Sequence, residues 1–208
     1  RGNHKKLIAI VDYGLGNLAS IKNMFKHIGV KNVIVTSDSR EIANASKIIL
    51  PGVGAFDTGM SNLLNLNLID ILNQKALIEK VPFLGICLGM QLMTSGSEEG
   101  LLEGLGWFNA KAVKFIPEPG LKVPHMGWNY VNPIGKNDIF LTANKKYRFY
   151  FVHSYYVQCE EAEDVLYVAN YGQNFHAAIC KENIYGMQFH PEKSLHYGMD
   201  ILMKFSEI

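Results

Sequence analysis

A cysteine framed by glycines is the clearest chemical signal in this sequence. Cys87 stands in the run Gly85-Ile86-Cys87-Leu88-Gly89, directly after an apolar stretch of strand length. Glycines on both sides let a strand and a helix approach without a Cβ clash, so the spacing predicts a nucleophile on a sharp strand-to-helix turn. At the start of a helix a thiolate is stabilised, which favours a nucleophile over a buried structural cysteine.

His190 and Glu192 form the second signal. They are separated by one residue in an extended segment, so both side chains leave on the same face. A carboxylate beside an imidazole stabilises the imidazolium and leaves the other ring nitrogen to take a proton from a thiol. Together with Cys87, the pair predicts nucleophilic catalysis. His125 and His153 could replace His190 as the base, but no carboxylate stands near either, and we interpret both as structural or interface residues.

Two glycine turns follow predicted strands early in the chain. Residues 51–54, Pro-Gly-Val-Gly, free the backbone to point amide groups at a developing oxyanion. Residues 14–19 satisfy G-x-G-x-x-[GA], with Asp38 downstream, which is the pattern of a dinucleotide-binding turn. Short glycine turns are common after a first parallel strand on steric grounds alone. We therefore interpret residues 14–19 as a loop that serves a partner or a neighbouring site.

Composition narrows the class of protein. Hydrophobic residues make up 48% of the 208 residues and charged residues 19%, as in ordinary globular proteins. The net charge of +1 and the lack of long basic runs give no indication of nucleic-acid binding, and the longest apolar run is too short to cross a membrane. Metal-ligand spacings are absent, so we expect no metal and no cofactor. Three scattered cysteines predict a reducing compartment, with the cytoplasm as the default.

Periodicity predicts the elements that must position these residues. In the first half, apolar runs of strand length alternate with helical patterns. The predicted strands are residues 7–11, 33–35, 48–50 and 81–86, and the predicted helices are residues 17–29, 39–45 and 66–79. This alternation predicts an α/β fold with a mostly parallel, doubly wound sheet flanked by helices.

After Gly104 the sequence becomes rich in short strand patterns. The candidates are residues 111–116, 125–131, 149–158, 165–171, 175–180 and 184–189, and a helical pattern returns only at residues 195–205. We expect a mixed, strand-rich second half that packs on the same sheet. The chain, residues 1–208, is predicted to be a single domain, with residues 1–5 left out of the fold prediction because they can include expression-derived residues.

Two segments carry a resemblance to a known family. Residues 85–91, Gly-Ile-Cys-Leu-Gly-Met-Gln, and His190-Pro191-Glu192 resemble the class I (triad) glutamine amidotransferases. Within that family, residues 12–17, 51–56, 124–129, 150–155 and 188–194 are similar to the glutaminase subunits of imidazole glycerol phosphate synthases. The resemblance extends from Lys6 to Phe205 and implies the glutamine amidotransferase fold.

The resemblance also implies roles for individual residues. Cys87 would attack the γ-carboxamide of glutamine, with His190 as base and then acid and Glu192 orienting it. Backbone N–H groups of Val53 and Leu88 would form the oxyanion hole. The implied substrate-binding residues are Gly52, Gln91, Glu99, Tyr150, His153 and Ser154. The implied partner-interface residues are Asn17, Trp128 and Lys193.

In the family, the glutaminase passes ammonia to a partner. The resemblance implies a place in histidine biosynthesis, within a heterodimer whose other member is a (β/α)8-barrel cyclase. Residues 194–199 also resemble paralogues that feed ammonia to a sugar amidotransferase of surface-polysaccharide synthesis, and this alternative stays open. A peptidase or γ-glutamyl hydrolase with the same triad, and a nucleotide-binding scaffold, are further alternatives. The small, polar residues 94–97 leave the position of Glu99 less firmly predicted than that of Gln91.

Overall fold

The computed structural model describes residues 6–136 and 138–208. In the first half, strands alternate with helices as the sequence predicts. The strands are β1 (Ile8–Val11), β2 (Val33–Thr36), β3 (Lys47–Leu50) and β4 (Phe83–Ile86). The helices are α1 (Leu18–His27), α2 (Ser39–Asn44), α3 (Phe56–Asn65), α4 (Ile69–Asn73) and α5 (Leu88–Leu92). The four strands are parallel and lie in the order β2-β1-β3-β4.

The second half adds strands to the same sheet. They are β5 (Gly96–Ser97), β6 (Ala110–Lys114), β7 (His125–Pro133), β8 (Tyr147–His153), β9 (Tyr155–Cys159), β10 (Val165–Tyr171), β11 (Gln173–Lys181) and β12 (Ile184–Met187), before the final helix α6 (Leu195–Glu207). Strand β12 runs parallel to β4, whereas β11, β10, β7 and β8 continue the sheet with antiparallel pairings. The predicted strand-rich, partly antiparallel second half is confirmed.

The sheet separates two hydrophobic clusters. Ile8 and Ile10 of β1 belong to one cluster and Ala9 and Val11 to the other, as the alternation of side chains along a strand requires. Buried residues of α1 and α6 join the first cluster, and those of α2, α3, α4 and α5 join the second. Because helices cover both faces, the central strands read as continuous apolar runs.

Pairing between β4 and β12 brings distant parts of the chain together. Met187 is paired with Ile86, and the N–H of Cys87 donates to the carbonyl of Met187 at 2.7 Å. Both strands are parallel, so their carboxyl ends meet at one edge of the sheet. The residues that follow β4 and the residues that follow β12 are therefore neighbours.

Three local predictions differ from the structure. The predicted helix at residues 66–79 is a short α4 that continues as a π-helical turn over Gln74–Ile78, and α3 was not predicted. A glycine inside a helix lowers the helical propensity of the segment, so Gly59 weakens the pattern of α3. Close packing explains the glycine, because a Cβ atom on residue 59 would lie 3.1 Å from the side chain of Leu92 in α5. The single strand predicted at 149–158 is two strands, because Ser154 lies where the chain leaves its pairing with β7 and begins to pair with β6.

No helix of the described residues is long and apolar enough to cross a membrane. The division of the chain into domains stays a prediction.

Candidate active site

Cys87 lies on a strained turn between β4 and α5. Its backbone has φ 53° and ψ −111°, a conformation that side-chain-bearing residues rarely adopt. A Cβ atom on Gly89 would lie 1.8 Å from the carbonyl oxygen of Leu50, and one on Gly85 would lie 2.6 Å from Met93. Larger residues would collide at both positions. The strand-to-helix turn predicted from the glycine spacing is confirmed.

His190 is paired with a buried carboxylate close to the Cys87 thiol, and its buried Nε2 makes no hydrogen bond to the described residues. Its Nδ1 is 2.7 Å from Oε1 of Glu192, and both side chains are only 1% exposed. The Nδ2 amide of Asn17 donates to the same carboxylate oxygen at 3.0 Å. Burial lowers the pKa of His190, but its interactions with Cys87 and Glu192 outweigh burial and raise the pKa to about 10. These interactions favour the imidazolium form of His190.

The predicted oxyanion hole is not formed in this structure. The N–H of Leu88 donates to the carbonyl of Gly52 at 3.1 Å, so this donor is already used. That carbonyl belongs to the same peptide plane as the N–H of Val53. Rotation of this single peptide would therefore release the Leu88 donor and turn the Val53 donor toward the same space. The hydroxyl of Tyr13 donates to the carbonyl of Pro51 and fixes the chain immediately before this peptide.

A cavity of about 350 Å³ opens beside the sulfur, a size suited to a small ligand. It is lined by Val53, Gly54, Cys87, Leu88, Gln91, Glu99, Pro124, Val152, His153, Ser154 and Tyr155. Four of the residues predicted to bind substrate are among them, namely Gln91, Glu99, His153 and Ser154. Gly52 and Tyr150 are not among these lining residues, and their contact with substrate stays a prediction.

Gln91 and Glu99 occupy the cavity wall from two different segments. The amide nitrogen of Gln91 donates to the carbonyl of Tyr155 and to Oε1 of Gln188, each at 3.1 Å. Glu99 accepts from the N–H of Phe56 at 3.0 Å, at the start of α3. The small residues 94–97 do not extend α5. They turn the chain into β5, which pairs with β6 and brings Glu99 to the cavity.

Tyr150 contacts two of the predicted interface residues. Its carbonyl accepts from the N–H of His190 at 3.0 Å. Its ring contacts Trp128 across the strand pair, with centroids 6.2 Å apart, and Nζ of Lys193 lies 5.8 Å from the ring centroid. Trp128 is 42% exposed and also contacts Arg148.

His125 and His153 bond to each other in a buried chain of hydrogen bonds. Nδ1 of His153 lies 2.8 Å from the carbonyl of Tyr155, which can only accept, so this nitrogen carries a proton. Nε2 of His153 then accepts from Nδ1 of His125 at 2.9 Å, and Nε2 of His125 accepts from Asn129 at 3.3 Å. Both rings are neutral in this arrangement. Neither is beside a carboxylate, and their interpretation as structural residues rather than bases is supported.

Acid is expected to destabilise the fold through this histidine pair. Burial lowers the pKa of His125 to about 4 and is the main cause that lowers the pKa of His153 to about 3. The unfolded chain therefore binds more protons, and stability falls as pH drops from about 6.5 toward 4, by up to about 1.4 kcal/mol per pH unit for each histidine. Urea unfolding at several pH values measures this.

His190 acts in the opposite direction, because its raised pKa stabilises the fold below about pH 6.5 and this contribution is lost as pH rises toward 10. His125→Gln can still donate a hydrogen bond to His153. In this variant the free energy of unfolding should fall less steeply between pH 6.5 and 4, which is the acid limb of the stability profile. The exposed His27→Gln is the control and should leave the limb unchanged. An acid limb of equal slope in His125→Gln would contradict the prediction.

The glycine turn at residues 14–19 has a steric explanation. Gly16 has φ 112°, and a Cβ there would lie 3.1 Å from the amide nitrogen of Gly52 and 3.1 Å from Pro51. The turn therefore packs against the segment that precedes the candidate oxyanion donors. Asp38, the candidate ribose contact, instead caps α2 by accepting from the N–H of Arg40. These contacts support a loop that serves a neighbouring site.

Gln188 and Tyr13 are among the residues of this region that the sequence analysis did not assign to the site. Gln188 donates from Nε2 to the Cys87 sulfur at 3.6 Å, and Tyr13 holds the carbonyl of Pro51. Gln188 stood in a motif already noted, two residues before His190. Tyr13 gave no signal in the sequence, because its role depends on a contact between segments that follow different strands.

Comparison with known proteins decides the family. Residues 9–207 match the family described as glutamine amidotransferase class-I. The chain belongs to this family. The prediction made from the cysteine and histidine motifs is thereby confirmed. Among the described residues, no group of three or more His, Cys, Asp or Glu side chains could hold a metal ion.

Similar sequences carry more specific names. A protein of Methanococcus maripaludis named imidazole glycerol phosphate synthase subunit HisH 2 is 55% identical over 199 residues, which is 96% of this chain and 98% of the relative. A protein of the same name from Pseudomonas aeruginosa is 47% identical over 203 residues, 97% of this chain and all of the relative. One from Leptospira interrogans, named subunit HisH, is 44% identical over 205 residues, covering 97% and 100%.

Solved structures support the fold. A structure described as glutamine amidotransferase covers 97% of both chains with a TM-score of 0.73 at 14% identity. A chain from the structure of PurLQS from Thermotoga maritima gives a TM-score of 0.69 at 18% identity, covering 97% of this chain and 98% of the other. At these identities the likeness concerns the fold alone. The predicted glutamine amidotransferase fold is confirmed.

Proposed function

We propose that this glutamine amidotransferase is the glutaminase subunit of an imidazole glycerol phosphate synthase, with Cys87, His190 and Glu192 as its catalytic triad. The observation that carries the triad is the buried His190–Glu192 pair at 2.7 Å, which the pairing of β12 with β4 holds next to the turn of Cys87. The specific function is supported by relatives of nearly equal length that are 44–55% identical and carry that name.

In the proposed reaction, His190 takes the proton of Cys87 and the sulfur attacks Cδ of glutamine. The C–N bond then breaks, and ammonia leaves with the proton that His190 returns, so a glutamyl thioester remains. Water attacks the thioester, gives a proton to His190 and releases glutamate, and the sulfur leaves as a thiolate. Glu192 keeps Nδ1 of His190 protonated throughout. No metal or cofactor takes part in this scheme.

Both tetrahedral intermediates need an oxyanion hole. In the proposal, the peptide between Gly52 and Val53 rotates so that the N–H groups of Val53 and Leu88 point at the substrate oxygen. In the present arrangement the N–H of Leu88 donates to the carbonyl of Gly52. The carbonyl oxygen would repel an oxyanion, and the N–H is not free to bind one. The resting state is therefore expected to be slow. A partner that favours the rotated peptide would couple glutamine hydrolysis to synthesis.

Substrate would be held at the far end of the cavity by Gln91 and Glu99. Both N–H bonds of Gln91 are used within the protein, which leaves its carbonyl oxygen to accept from the α-ammonium group. Glu99 supplies a carboxylate for the same positive group. Tyr155, which was not predicted, joins His153 and Ser154 in the wall.

We propose that the partner in a heterodimer is a (β/α)8-barrel cyclase subunit, in the cytoplasm and within histidine biosynthesis. Met126, Trp128 and Tyr130 alternate along β7 and are 61%, 42% and 54% exposed, so one side of this strand presents large apolar groups to solvent. Lys193 lies beside Tyr150 next to this strand. Direct transfer of ammonia is expected, because free ammonia is mostly protonated near pH 7 and is then no longer a nucleophile.

The function is tested by measuring glutamine hydrolysis with and without the cyclase subunit from the same organism. We expect low turnover by the chain alone and a large stimulation by the cyclase subunit. The alternative is a sugar amidotransferase of surface-polysaccharide synthesis, which would stimulate in place of the cyclase. High turnover of glutamine or γ-glutamyl peptides by the chain alone would instead favour a γ-glutamyl hydrolase.

Trp128→Ala should weaken the partner complex more than it weakens the fold. A half-exposed tryptophan at the centre of an interface contributes about 2 kcal/mol, so the Kd should rise roughly 30-fold. Lys193→Ala should lower the stimulation of hydrolysis. Titration calorimetry with the cyclase subunit measures the Kd, and urea unfolding measures the fold.

The control is Ile78→Ala. Ile78 is 71% exposed but precedes β4, at the opposite end of that strand from Cys87. Its removal should leave the Kd unchanged. An unchanged Kd and unchanged stimulation in both Trp128→Ala and Lys193→Ala would contradict the interface.

A further inference from the structure

Gln188 is buried against the reacting sulfur. Its side chain is 0% exposed, and its Nε2 lies 3.6 Å from Sγ of Cys87, within the range of an N–H···S hydrogen bond. Its backbone N–H donates to the carbonyl of Ala177 at 2.9 Å, which fixes the main chain between β12 and His190. The proposed reaction assigns no role to the side-chain amide of Gln188.

A chain of hydrogen bonds determines which end of the Gln188 amide faces the sulfur. The carbonyl of Tyr155 can only accept, so the atom of Gln91 that contacts it must be the amide nitrogen. The same nitrogen contacts Gln188 at 3.1 Å, and the atom it meets there must be an acceptor, Oε1. The nitrogen of Gln188 is then the end that faces Cys87. The carbonyl of Tyr155 therefore orients the Gln91 amide, and the Gln91 amide orients the Gln188 amide so that its N–H group points at the sulfur.

We propose that Gln188 is a catalytic residue that donates a hydrogen bond to the Cys87 sulfur. A thiolate accepts more strongly than a thiol or a thioester sulfur, so this donor favours the thiolate and also keeps the sulfur aimed at the cavity. It assists ionisation before attack and departure of the sulfur when the thioester is hydrolysed. In the proposed site, the His190 imidazolium stabilises the sulfur by its positive charge, and the neutral Gln188 amide stabilises it by a hydrogen bond.

The proposal rests on the proposed function only for its consequence in turnover, and a test without glutamine separates the two. The rate of Cys87 alkylation by iodoacetamide is measured against pH in the full chain, with the Cys87 peptide quantified by mass spectrometry. Burial raises the pKa of Cys159 to about 12 and of Cys180 to about 11, so both react slowly near neutral pH.

Two variants remove the donor in different ways. Gln188→Met keeps the length of the side chain but has no N–H group. Gln188→Glu keeps the shape and the acceptor for Gln91, and it places an oxygen toward the sulfur. We expect the alkylation midpoint to move up by about one pH unit in Gln188→Met and further in Gln188→Glu, with alkylation near neutral pH about tenfold slower. Cooperative urea unfolding establishes that each variant is folded.

Gln173→Met is the matched control, because Gln173 also has a buried amide nitrogen but lies on β11 away from the cavity lining. It should leave the alkylation midpoint unchanged. In the stimulated enzyme, Gln188→Glu should lower kcat with little change in KM, since it keeps the acceptor that holds Gln91 and changes only the group that touches the sulfur. An alkylation midpoint equal to that of the wild type in folded Gln188→Met and Gln188→Glu would overturn the proposal. Wild-type protein without glutaminase activity but with the shift in the variants would overturn the proposed function alone.

Discussion

Cys87→Ser is expected to lower glutamine hydrolysis by at least about 10³-fold, because a serine hydroxyl ionises far less readily than a thiol at the same site. Ammonia-dependent synthesis by the complex with the cyclase subunit should continue, since the serine fits the turn and leaves the interface intact. The measurement compares product formation with glutamine and with ammonium salt as nitrogen source, at equal concentrations of complex.

Cys180→Ser provides the control for this substitution. Cys180 is a partly buried thiol on β11 whose sulfur contacts the carbonyl of Glu182, outside the cavity. Its replacement should leave both reactions unchanged. Loss of the ammonia-dependent reaction in Cys87→Ser would contradict the division of labour between two sites. Retention of glutamine hydrolysis would remove Cys87 from the mechanism.

Glu192→Gln is expected to lower kcat for glutamine hydrolysis by about 10²-fold or more. Asn17 and His190 both donate to Oε1 of Glu192, so the carbonyl oxygen of the new amide should take that place and keep the imidazole tautomer. The loss would then come from the missing charge. Without the carboxylate the pKa of His190 falls, and the imidazolium that supports the thiolate is less populated.

The pH dependence of kcat/KM checks this cause. On the alkaline side of this profile, kcat/KM falls as the imidazolium of His190 loses its proton. This fall should move to lower pH in Glu192→Gln, because Glu192 is one of the two groups that raise the pKa of His190. Glu182→Gln is the control. Glu182 pairs with Lys80 at 2.7 Å as closely as Glu192 pairs with His190, but its side chain is 64% exposed. A kcat equal to the wild type in Glu192→Gln would exclude the proposed triad.

The central strands and the catalytic turn could be predicted because their causes are local. The burial of β1, β3 and β4 on both faces appears as short apolar runs, and the frame around Cys87 appears as glycines that a sharp turn requires. Helix α3 was missed because Gly59 weakens the helical pattern and is explained only by the close approach of Leu92. The error at residues 66–79 has a similar origin, since the π-helical turn interrupts a pattern that otherwise reads as one helix.

The candidate site divides in the same way. Pairs within one segment, such as His190 with Glu192, were evident from spacing. The contact of Asn17 with Glu192 joins residues from opposite ends of the chain, and the contact of Trp128 with Tyr150 depends on the pairing of β7 with β8. Neither contact follows from spacing within one segment.

By itself the sequence determined the family of this protein and its largely parallel sheet, and it predicted the residues of the proposed triad: a cysteine nucleophile and a histidine base with its carboxylate. Only the tertiary structure decided how that chemistry is held. It placed the Gly52 carbonyl on the Leu88 donor and aimed the Gln188 amide at the sulfur. Residue type and spacing record what a single segment can do, whereas hydrogen-bond partners and side-chain direction depend on which segments the pairing of β4 with β12 brings into contact.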